Sequence, residues 1–256
     1  MNQQNDLARH FTSLHRKGEP LVLYNAWDAG SARAIAGAGA RAIGTSSWAV
    51  AAAHGYEDGE SIPLSLVGQV LGRIAGSVTL PVTADIEGGY SADSETCAGN
   101  VSMLLDHGVV GVNFEDRVVG GAGLYGIDAQ CERIAAMRRM AAARGIALFI
   151  NARTDLFFNE QMSPQDGVDE ARQRAAAYAD AGASGFFVPG LVDLPVIAEL
   201  AATIALPLNV MVMPGMADSR DLAEAGVARI SHGPAPYLQA MEATRAAAQA
   251  ALKPLA

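Results

Sequence analysis

Carboxylates end two apolar runs in the first half of the chain, and their spacing suits a divalent cation. Asp85 and Glu87 end one run, and Glu115 and Asp116 end the next. On an extended segment, side chains two residues apart face the same side, so Asp85 and Glu87 would point together. Carboxylate oxygens are the ligands that Mg²⁺ and Mn²⁺ prefer, and a bound cation would relieve the repulsion among them. The pattern predicts a Mg²⁺ (or Mn²⁺) site at Asp85 and Glu87, completed by Glu115 or Asp116.

An arginine stands at the end of a later apolar run, in the sequence Asn151-Ala152-Arg153-Thr154-Asp155. The planar guanidinium binds carboxylates through two parallel hydrogen bonds. Arg153 is therefore either a fork for a substrate carboxylate or the ion-pair partner of a protein carboxylate. The residue type alone leaves both interpretations open.

Hydroxyls and a loop carboxylate add groups that suit an oxygen-rich substrate. Ser46, Ser47 and Trp48 follow another apolar run, and Asp58 lies in the loop after them. A serine at a strand end either caps the following helix or holds a carboxylate through its hydroxyl and backbone N–H. Asp58 lies where a loop can bring it over the substrate. The candidates for a general base are Asp58, Tyr24, His54 and His232.

Eight short apolar runs alternate with longer alanine-rich stretches along the chain. Their average spacing of about 30 residues is that of a strand, a helix and two loops. This alternation is typical of βα units and a parallel sheet. We therefore predict an α/β fold, a single (β/α)₈ TIM barrel over residues 1–256, with its active site at the carboxyl ends of the strands. The predicted strands are Leu21–Ala26, Ala42–Ser47, Val82–Glu87, Gly111–Asp116, Ala147–Thr154, Gly185–Gly190, Leu208–Met213 and Arg229–Gly233.

Four glycines share one place in the repeated layout. Gly39, Gly108, Gly182 and Gly226 each follow a helical stretch and precede a predicted strand by about three residues. A glycine at that place can take the left-handed conformation that ends a helix. We expect positive φ angles there and assign these glycines no chemistry.

Composition excludes several classes of function. The formal charge is −9 and no basic run is longer than a pair, which argues against a nucleic-acid partner. No stretch reaches the roughly 18–20 uninterrupted apolar residues of a spanning helix, and the first residues lack the features of an export signal. We therefore expect a cytoplasmic protein with no membrane partner. Lysine occurs only at Lys17 and Lys253, neither of them among the strand ends, which argues strongly against a lysine Schiff-base mechanism.

A glycine-rich segment, residues 118–126, follows the predicted fourth strand. Its glycines make it a candidate lid beside the carboxylates. No lysine follows it and its spacing matches no nucleotide fingerprint, so a phosphate cradle is not predicted.

Taken in order, these motifs resemble the isocitrate lyase/phosphoenolpyruvate mutase superfamily. The resemblance covers most of the chain, and the ordered set is more specific than any single motif. The matching motifs are Tyr24-Asn25-Ala26-Trp27-Asp28, Gly44-Thr45-Ser46-Ser47-Trp48, Gly55 with Asp58-Gly59, Asp85-Ile86-Glu87-Gly88-Gly89-Tyr90, Glu115-Asp116 and Asn151-Ala152-Arg153-Thr154-Asp155.

The resemblance implies a Mg²⁺-dependent barrel that forms or breaks C–C or P–C bonds beside a 2-oxo acid, through an enolate-like intermediate. By this resemblance Asp85 is the principal metal ligand, directly or through water, with Glu87 and Glu115 completing the acidic shell. The implied catalytic residues are Asp58 and Arg153. The implied substrate-binding residues are Tyr24, Ser46, Ser47, Trp48, Arg153 and Asn209.

The chain also departs from the family pattern. Isocitrate and methylisocitrate lyases carry a Lys-Lys-Cys-Gly-His loop after strand four, whose cysteine is the catalytic acid, and this chain has the glycine-rich segment there. Methylisocitrate lyases carry a glutamate near the end of strand six, where this chain has Pro189-Gly190-Leu191. The lysine and asparagine of phosphoenolpyruvate mutases and phosphonopyruvate hydrolases are missing too. The half of the site that selects the bond is therefore not recognisable.

Our leading hypothesis is a Mg²⁺-dependent lyase that cleaves a C–C bond in a small 2-oxo or 2-hydroxy dicarboxylate by way of a metal-bound enolate. The alternatives are P–C bond chemistry on phosphonopyruvate or a relative, and a barrel that binds a 2-oxo acid without turning it over. Because barrels of this family form dimers and tetramers, we also expect a homo-oligomer.

Overall fold

The computed structural model describes residues 3–159 and 163–252, apart from the side chain of Pro164. Lys253 therefore lies outside the described residues. Eight strands form one sheet in the order β1-β8-β7-β6-β5-β4-β3-β2, and every neighbouring pair is parallel. The strands are β1 Leu21–Leu23, β2 Ile43–Gly44, β3 Val82–Asp85, β4 Gly111–Glu115, β5 Phe149–Arg153, β6 Gly185–Phe187, β7 Leu208–Met211 and β8 Arg229–Ser231.

The sheet curls into a nearly closed barrel. A parallel bridge between Ala26 and Thr45 joins the segments that follow β1 and β2. Across this seam the Ala26 amide donates to Gly44 O at 2.8 Å, and the Ser46 amide donates to Ala26 O at 3.3 Å. The predicted (β/α)₈ TIM-barrel fold is confirmed, and each observed strand lies inside one of the eight predicted runs.

Ten α-helices in the described part of the chain surround the barrel. Aspartate and serine side chains cap many of them, as in α2, where Asp28 accepts from the Ser31 amide at 2.7 Å. The helices are α1 Gln3–Ser13, α2 Ala29–Gly37, α3 Ser47–Ala53, α4 Leu64–Ala75, α5 Ser94–Asp106, α6 Ile127–Ala143, α7 Pro164–Asp180, α8 Leu194–Thr203, α9 Ser219–Glu224 and α10 Ala235–Ala251, with a 3₁₀ turn at Leu156–Phe158.

The predicted glycine caps are confirmed. The φ angles are 97° at Gly39, 88° at Gly108, 102° at Gly182 and 86° at Gly226. Because a side chain rarely tolerates these angles, the glycines fix where each helix ends and the next strand begins.

Helix α1 closes the amino end of the barrel, a role that the sequence patterns did not reveal. Phe11 is fully buried and meets the ring of Phe149 edge to face at a centroid distance of 5.3 Å. Gly111 leaves room for it, since a Cβ there would lie 2.9 Å from the Phe11 ring. Lys17 lies beyond this helix and donates to the carbonyls of Ala201 and Ile204. Its amine is thus tied to main-chain oxygens.

Within residues 3–159 and 163–252, the structure contains no helix of the length and apolar character needed to span a bilayer.

Candidate active site

A cavity of about 160 Å³ opens at the carboxyl end of the barrel. Six of the ten predicted site residues line it, because parallel strands in a barrel bring their carboxyl ends to one face. The lining residues are Asn25, Ser46, Ser47, Trp48, Asp58, Asp85, Asn113, Arg153, Phe187, Met211, Ser231, Gly233 and Pro234.

Asp85, the last residue of β3, has one oxygen held by the protein and one left over. Its Oδ2 accepts from the Ser47 hydroxyl at 2.8 Å and from the Ser47 amide at 3.2 Å. Its own amide donates to the Thr45 hydroxyl at 3.1 Å. Its Oδ1 is buried and has no hydrogen-bond partner. A buried carboxylate oxygen without a partner is costly, so it fits an additional positive ligand such as a cation.

The sequence left two roles open for the serines, capping of the following helix and binding of a carboxylate, and the structure shows contacts of both kinds. The Ser46 hydroxyl accepts from the Ala49 amide at 3.3 Å and so caps α3, while the residue also lines the cavity. The Ser47 hydroxyl orients Asp85. The start of α3 thus presents its first residues to the cavity, and helix N-termini favour anions.

Glu87 is not among the residues that line the cavity, and it anchors the loop that carries Asp58. Its Oε2 accepts from the Glu60 amide at 2.9 Å, and Glu60 in turn accepts from the Tyr90 amide at 2.7 Å. All three of these residues have φ angles between 51° and 61°, which side chains seldom adopt. The strained backbone persists because these hydrogen bonds over-determine it.

Burial, together with the charges of Asp58 and Asp85, raises the pKa of Glu87 from 4.5 to about 7. Between these values the folded carboxyl keeps a proton that the unfolded chain has lost. The metal-free protein therefore becomes less stable as pH rises from about 4.5 to about 7, by up to about 3 kcal/mol. We expect the melting temperature in EDTA to fall over this window and Mg²⁺ to raise it more at pH 8 than at pH 5.

The variant Glu87→Gln tests this expectation, with Glu95→Gln as a control on the exposed start of α5. Glu87→Gln should flatten the pH dependence in EDTA, and the control should leave it unchanged. An unaltered melting profile in Glu87→Gln would contradict the assignment.

Arg153, the last residue of β5, is held between two carboxylates. Its guanidinium lies 3.0 Å from Glu115 and donates two hydrogen bonds to Asp155, at 2.6 and 2.9 Å. Burial lowers the pKa of Arg153, but Glu115 and Asp155 outweigh this effect and raise it above its ordinary value. The ion-pair interpretation of Arg153 therefore describes its present contacts, although the residue also lines the cavity.

The carboxylates do not converge as three direct metal ligands. In the part of the chain that the structure describes, no three His, Cys, Asp or Glu side chains are grouped to hold a metal ion. The reason is that Glu87 accepts from a backbone amide and Glu115 pairs with Arg153. Asp85 is the carboxylate that lines the cavity with an unpartnered oxygen.

Asp116, our alternative third ligand, serves the framework instead. It is fully buried and accepts from Arg174 at 3.1 Å, from the Tyr178 hydroxyl at 2.9 Å and from the Asp155 amide at 3.1 Å. This network ties α7 to the ends of β4 and β5.

Four other candidates lie elsewhere. Tyr24 points outward, where its hydroxyl donates to Gln239 at 2.6 Å, and the His232 ring lies beside it at 5.1 Å. His54 lines a separate surface groove. Asn209 lies inside the barrel, where it accepts from the Ser231 hydroxyl at 3.2 Å.

On the segment after β1 the residue that lines the cavity is Asn25, whose Oδ1 accepts from the amides of residues 232 and 233.

Sequence reasoning missed a buried cation beneath the cavity. Arg229 is fully buried and donates to Asn113 at 3.0 Å and to Ser231 at 3.3 Å, two residues that line the cavity floor. Burial lowers the pKa of Arg229 to about 9, while the charge of Asp85 acts in the opposite direction. Alternation along β8 could have revealed it, since Arg229 and Ser231 face the same side of the strand.

The glycine-rich segment folds as a hairpin against the Asp58 loop. Arg117 and Leu124 form an antiparallel bridge at its base, and the Val118 amide donates to Gly123 O at 3.1 Å. Val119 lies where a Cβ on Gly59 or Gly88 would touch it. Its position suits a lid, and the lid motion stays a prediction.

Comparison with known proteins identifies the family of the chain. The family model for phosphoenolpyruvate phosphomutase matches residues 11–252. A crystal structure named as a "putative phosphonomutase" from Burkholderia cenocepacia J2315 is 46% identical, with a TM-score of 0.94, and the alignment covers 97% of this chain and 99% of that one.

Two curated relatives are named as enzymes. "Probable 2-methylisocitrate lyase 2" of Corynebacterium glutamicum is 33% identical over 70% of this chain and 57% of its own length. An oxaloacetate decarboxylase of Pseudomonas savastanoi pv. phaseolicola is 29% identical over 93% of this chain and 82% of its own. The chain therefore belongs to the phosphoenolpyruvate phosphomutase family, within the isocitrate lyase/phosphoenolpyruvate mutase superfamily.

Proposed function

We propose that this protein is a Mg²⁺-dependent lyase that cleaves a C–C bond in a small 2-oxo or 2-hydroxy dicarboxylate. The observation that carries the proposal is the unpartnered, buried Oδ1 of Asp85 beside a cavity of about 160 Å³. At about 30 Å³ per water molecule, that volume holds roughly five waters or the reacting end of one small acid.

The residues present fit a magnesium ion. Mg²⁺ is usually held by one or two carboxylates and keeps several waters, so three direct protein ligands are not required. Asp85 would bind it directly, and Glu87 and Glu115 would act through water. When bound, Mg²⁺ supplies a Lewis acid that stabilises negative charge on the substrate oxygens.

The protein groups around Asp85 would orient the substrate. The hydroxyls and amides at Ser46, Ser47 and Trp48 would receive the carboxylate next to the reacting carbonyl or hydroxyl. Arg153 would add positive charge at the other wall of the cavity. Since Arg153 is already paired with Glu115 and Asp155, its role is to balance charge as much as to bind.

Asp58 is the best placed candidate for proton transfer. It is exposed at the mouth of the cavity, within electrostatic range of Asp85 and Arg153. Partial burial raises the pKa of Asp58, and the charge of Asp85 raises it further. A raised pKa makes a carboxylate a more effective base for a substrate hydroxyl.

The proposal is tested by incubating the protein with oxaloacetate, methylisocitrate, dimethylmalate and phosphonopyruvate, in Mg²⁺ or in EDTA. Products are followed by NMR. Mg²⁺-dependent formation of a 2-oxo acid or of oxalate from one of the carbon acids is the expected result. Turnover of phosphonopyruvate alone would favour P–C chemistry, the activity suggested by the name of the Burkholderia structure. If no compound were turned over but oxalate bound in the presence of Mg²⁺, the result would favour a barrel that binds without turnover.

We further propose that the protein is a homo-oligomer. Four large apolar side chains on β1, α10 and the segment after β1 are 39–49% exposed: Val22, Tyr24, Leu238 and Met241. The Tyr24–Gln239 hydrogen bond brings these elements together, and exposed apolar patches of this kind mark interfaces.

Light scattering should give at least twice the chain mass of 26.5 kDa. Leu238→Glu should lower the measured mass, whereas Glu242→Gln, on the same exposed helix, should not. A monomer at micromolar concentration would contradict the proposal.

A further inference from the structure

A second, larger cavity adjoins the first on the side of the glycine-rich hairpin. It has a volume of about 610 Å³ and shares Asp58 and Arg153 with the inner cavity of about 160 Å³. Asp58 and Arg153 therefore stand between the two cavities. A four-carbon acid at Asp85 would leave most of this outer cavity to water.

The outer cavity has an apolar wall and one cation not engaged in an ion pair. Leu124, Leu156 and Phe158 line it, and the Phe158 side chain is 44% exposed. Arg117 lines it too, and among residues 3–159 and 163–252 its guanidinium makes no ion pair or hydrogen bond. Its charge acts on Asp58, whose pKa it lowers. Arg153, in contrast, is occupied by Glu115 and Asp155.

The main chain of Arg117 is held in place. The residue before it, Asp116, is tied to Arg174 and Tyr178, and Asp116 O accepts from the Tyr125 amide at 2.7 Å. The bridge to Leu124 fixes the other side. The guanidinium therefore extends from a rigid base toward a cavity that adjoins the proposed reaction site.

We propose that Arg117 binds a distal carboxylate of the substrate, so that the preferred substrate is a diacid longer than four carbons. This inference rests on the proposed function. The reacting 2-oxo or 2-hydroxy acid end would lie at Asp85, and the intervening carbons would pack along Leu124 and Phe158. A guanidinium binds a carboxylate with two charge-assisted hydrogen bonds, which gives the distal group both affinity and direction.

The test compares four ligands by calorimetry in Mg²⁺. Oxalate fills only the inner cavity, and oxaloacetate is a four-carbon diacid. 2-Oxoadipate is a six-carbon diacid, and 2-oxohexanoate has the same length without the distal carboxylate. The proteins are the unmodified chain, Arg117→Met, Arg117→Lys and the control Arg9→Met. Arg9 is an exposed arginine of α1, at the opposite end of the barrel.

In the unmodified chain, 2-oxoadipate should bind about tenfold or more tightly than 2-oxohexanoate, the gain expected of a charge-assisted pair. It should also bind more tightly than oxaloacetate. Arg117→Met should reduce the ratio of the two six-carbon acids to about one and leave oxalate affinity unchanged, and Arg117→Lys should retain part of the ratio. Arg9→Met should match the unmodified chain.

An equal preference for 2-oxoadipate in the unmodified chain and in Arg117→Met would overturn the inference while oxalate binding stood. Failure of oxalate to bind the unmodified chain in Mg²⁺ would instead count against the proposed function, and this inference would fail with it.

Discussion

Replacing Asp85 with asparagine is expected to lower Mg²⁺-dependent turnover about 10³-fold or more, because Lewis-acid stabilisation is worth several kcal/mol. The amide keeps an oxygen that can accept from Ser47, so the strand end should stay in place. It removes the negative charge that makes Oδ1 a ligand. Mg²⁺ should then no longer raise the melting temperature of the variant.

The stability of Asp85→Asn separates a lost ligand from a lost fold. In EDTA the variant should melt within a few degrees of the unmodified protein, since the relief of repulsion among the carboxylates offsets the loss of the Asp85 charge near buried Arg229. Glu57→Gln removes a charge from the exposed loop beside Asp58 and should keep both turnover and the Mg²⁺ shift. If Asp85→Asn retained a Mg²⁺-dependent melting shift, Asp85 would not be the principal ligand.

Replacing Arg153 with methionine is expected to cost about 3–5 kcal/mol of unfolding free energy. The substitution leaves Glu115 and Asp155, both buried, without their shared cation. In a chain of this size that loss corresponds to a fall of about 10 °C or more in melting temperature. Turnover should fall as well, because the guanidinium lines the cavity.

A double variant tests whether the cost comes from the unpaired carboxylate. Arg153→Met with Glu115→Gln removes one stranded charge, so it should be more stable than Arg153→Met alone. Denaturant unfolding measures the difference. Arg139→Met, which breaks an exposed pair with Glu95, should change stability by less than about 1 kcal/mol. A single Arg153→Met variant as stable as the unmodified chain would refute the buried-pair argument.

Local sequence patterns were sufficient to predict the barrel and the end of it that carries the site. Strand periodicity and helix-ending glycines are local properties, so the eight runs and the turns at Gly39 and Gly108 could be read without any long-range contact. Because parallel strands in a closed sheet end at one face, residues at the ends of those runs had to meet. Ser46, Asp85 and Arg153 accordingly line one cavity.

The partner of each side chain, in contrast, depends on long-range packing. Glu87 accepts a hydrogen bond from the Glu60 amide. Its backbone is in the left-handed region, which the sequence pattern did not predict. Glu115 paired with Arg153, and Tyr24 pointed outward to α10. A buried charge is stable only with a partner that offsets its desolvation, and in these cases the partner comes from a distant part of the chain. Arg229 shows both influences: alternation along β8 turns it inward beside Ser231, whereas its bond to Asn113 and the charge of Asp85 come from distant parts of the chain.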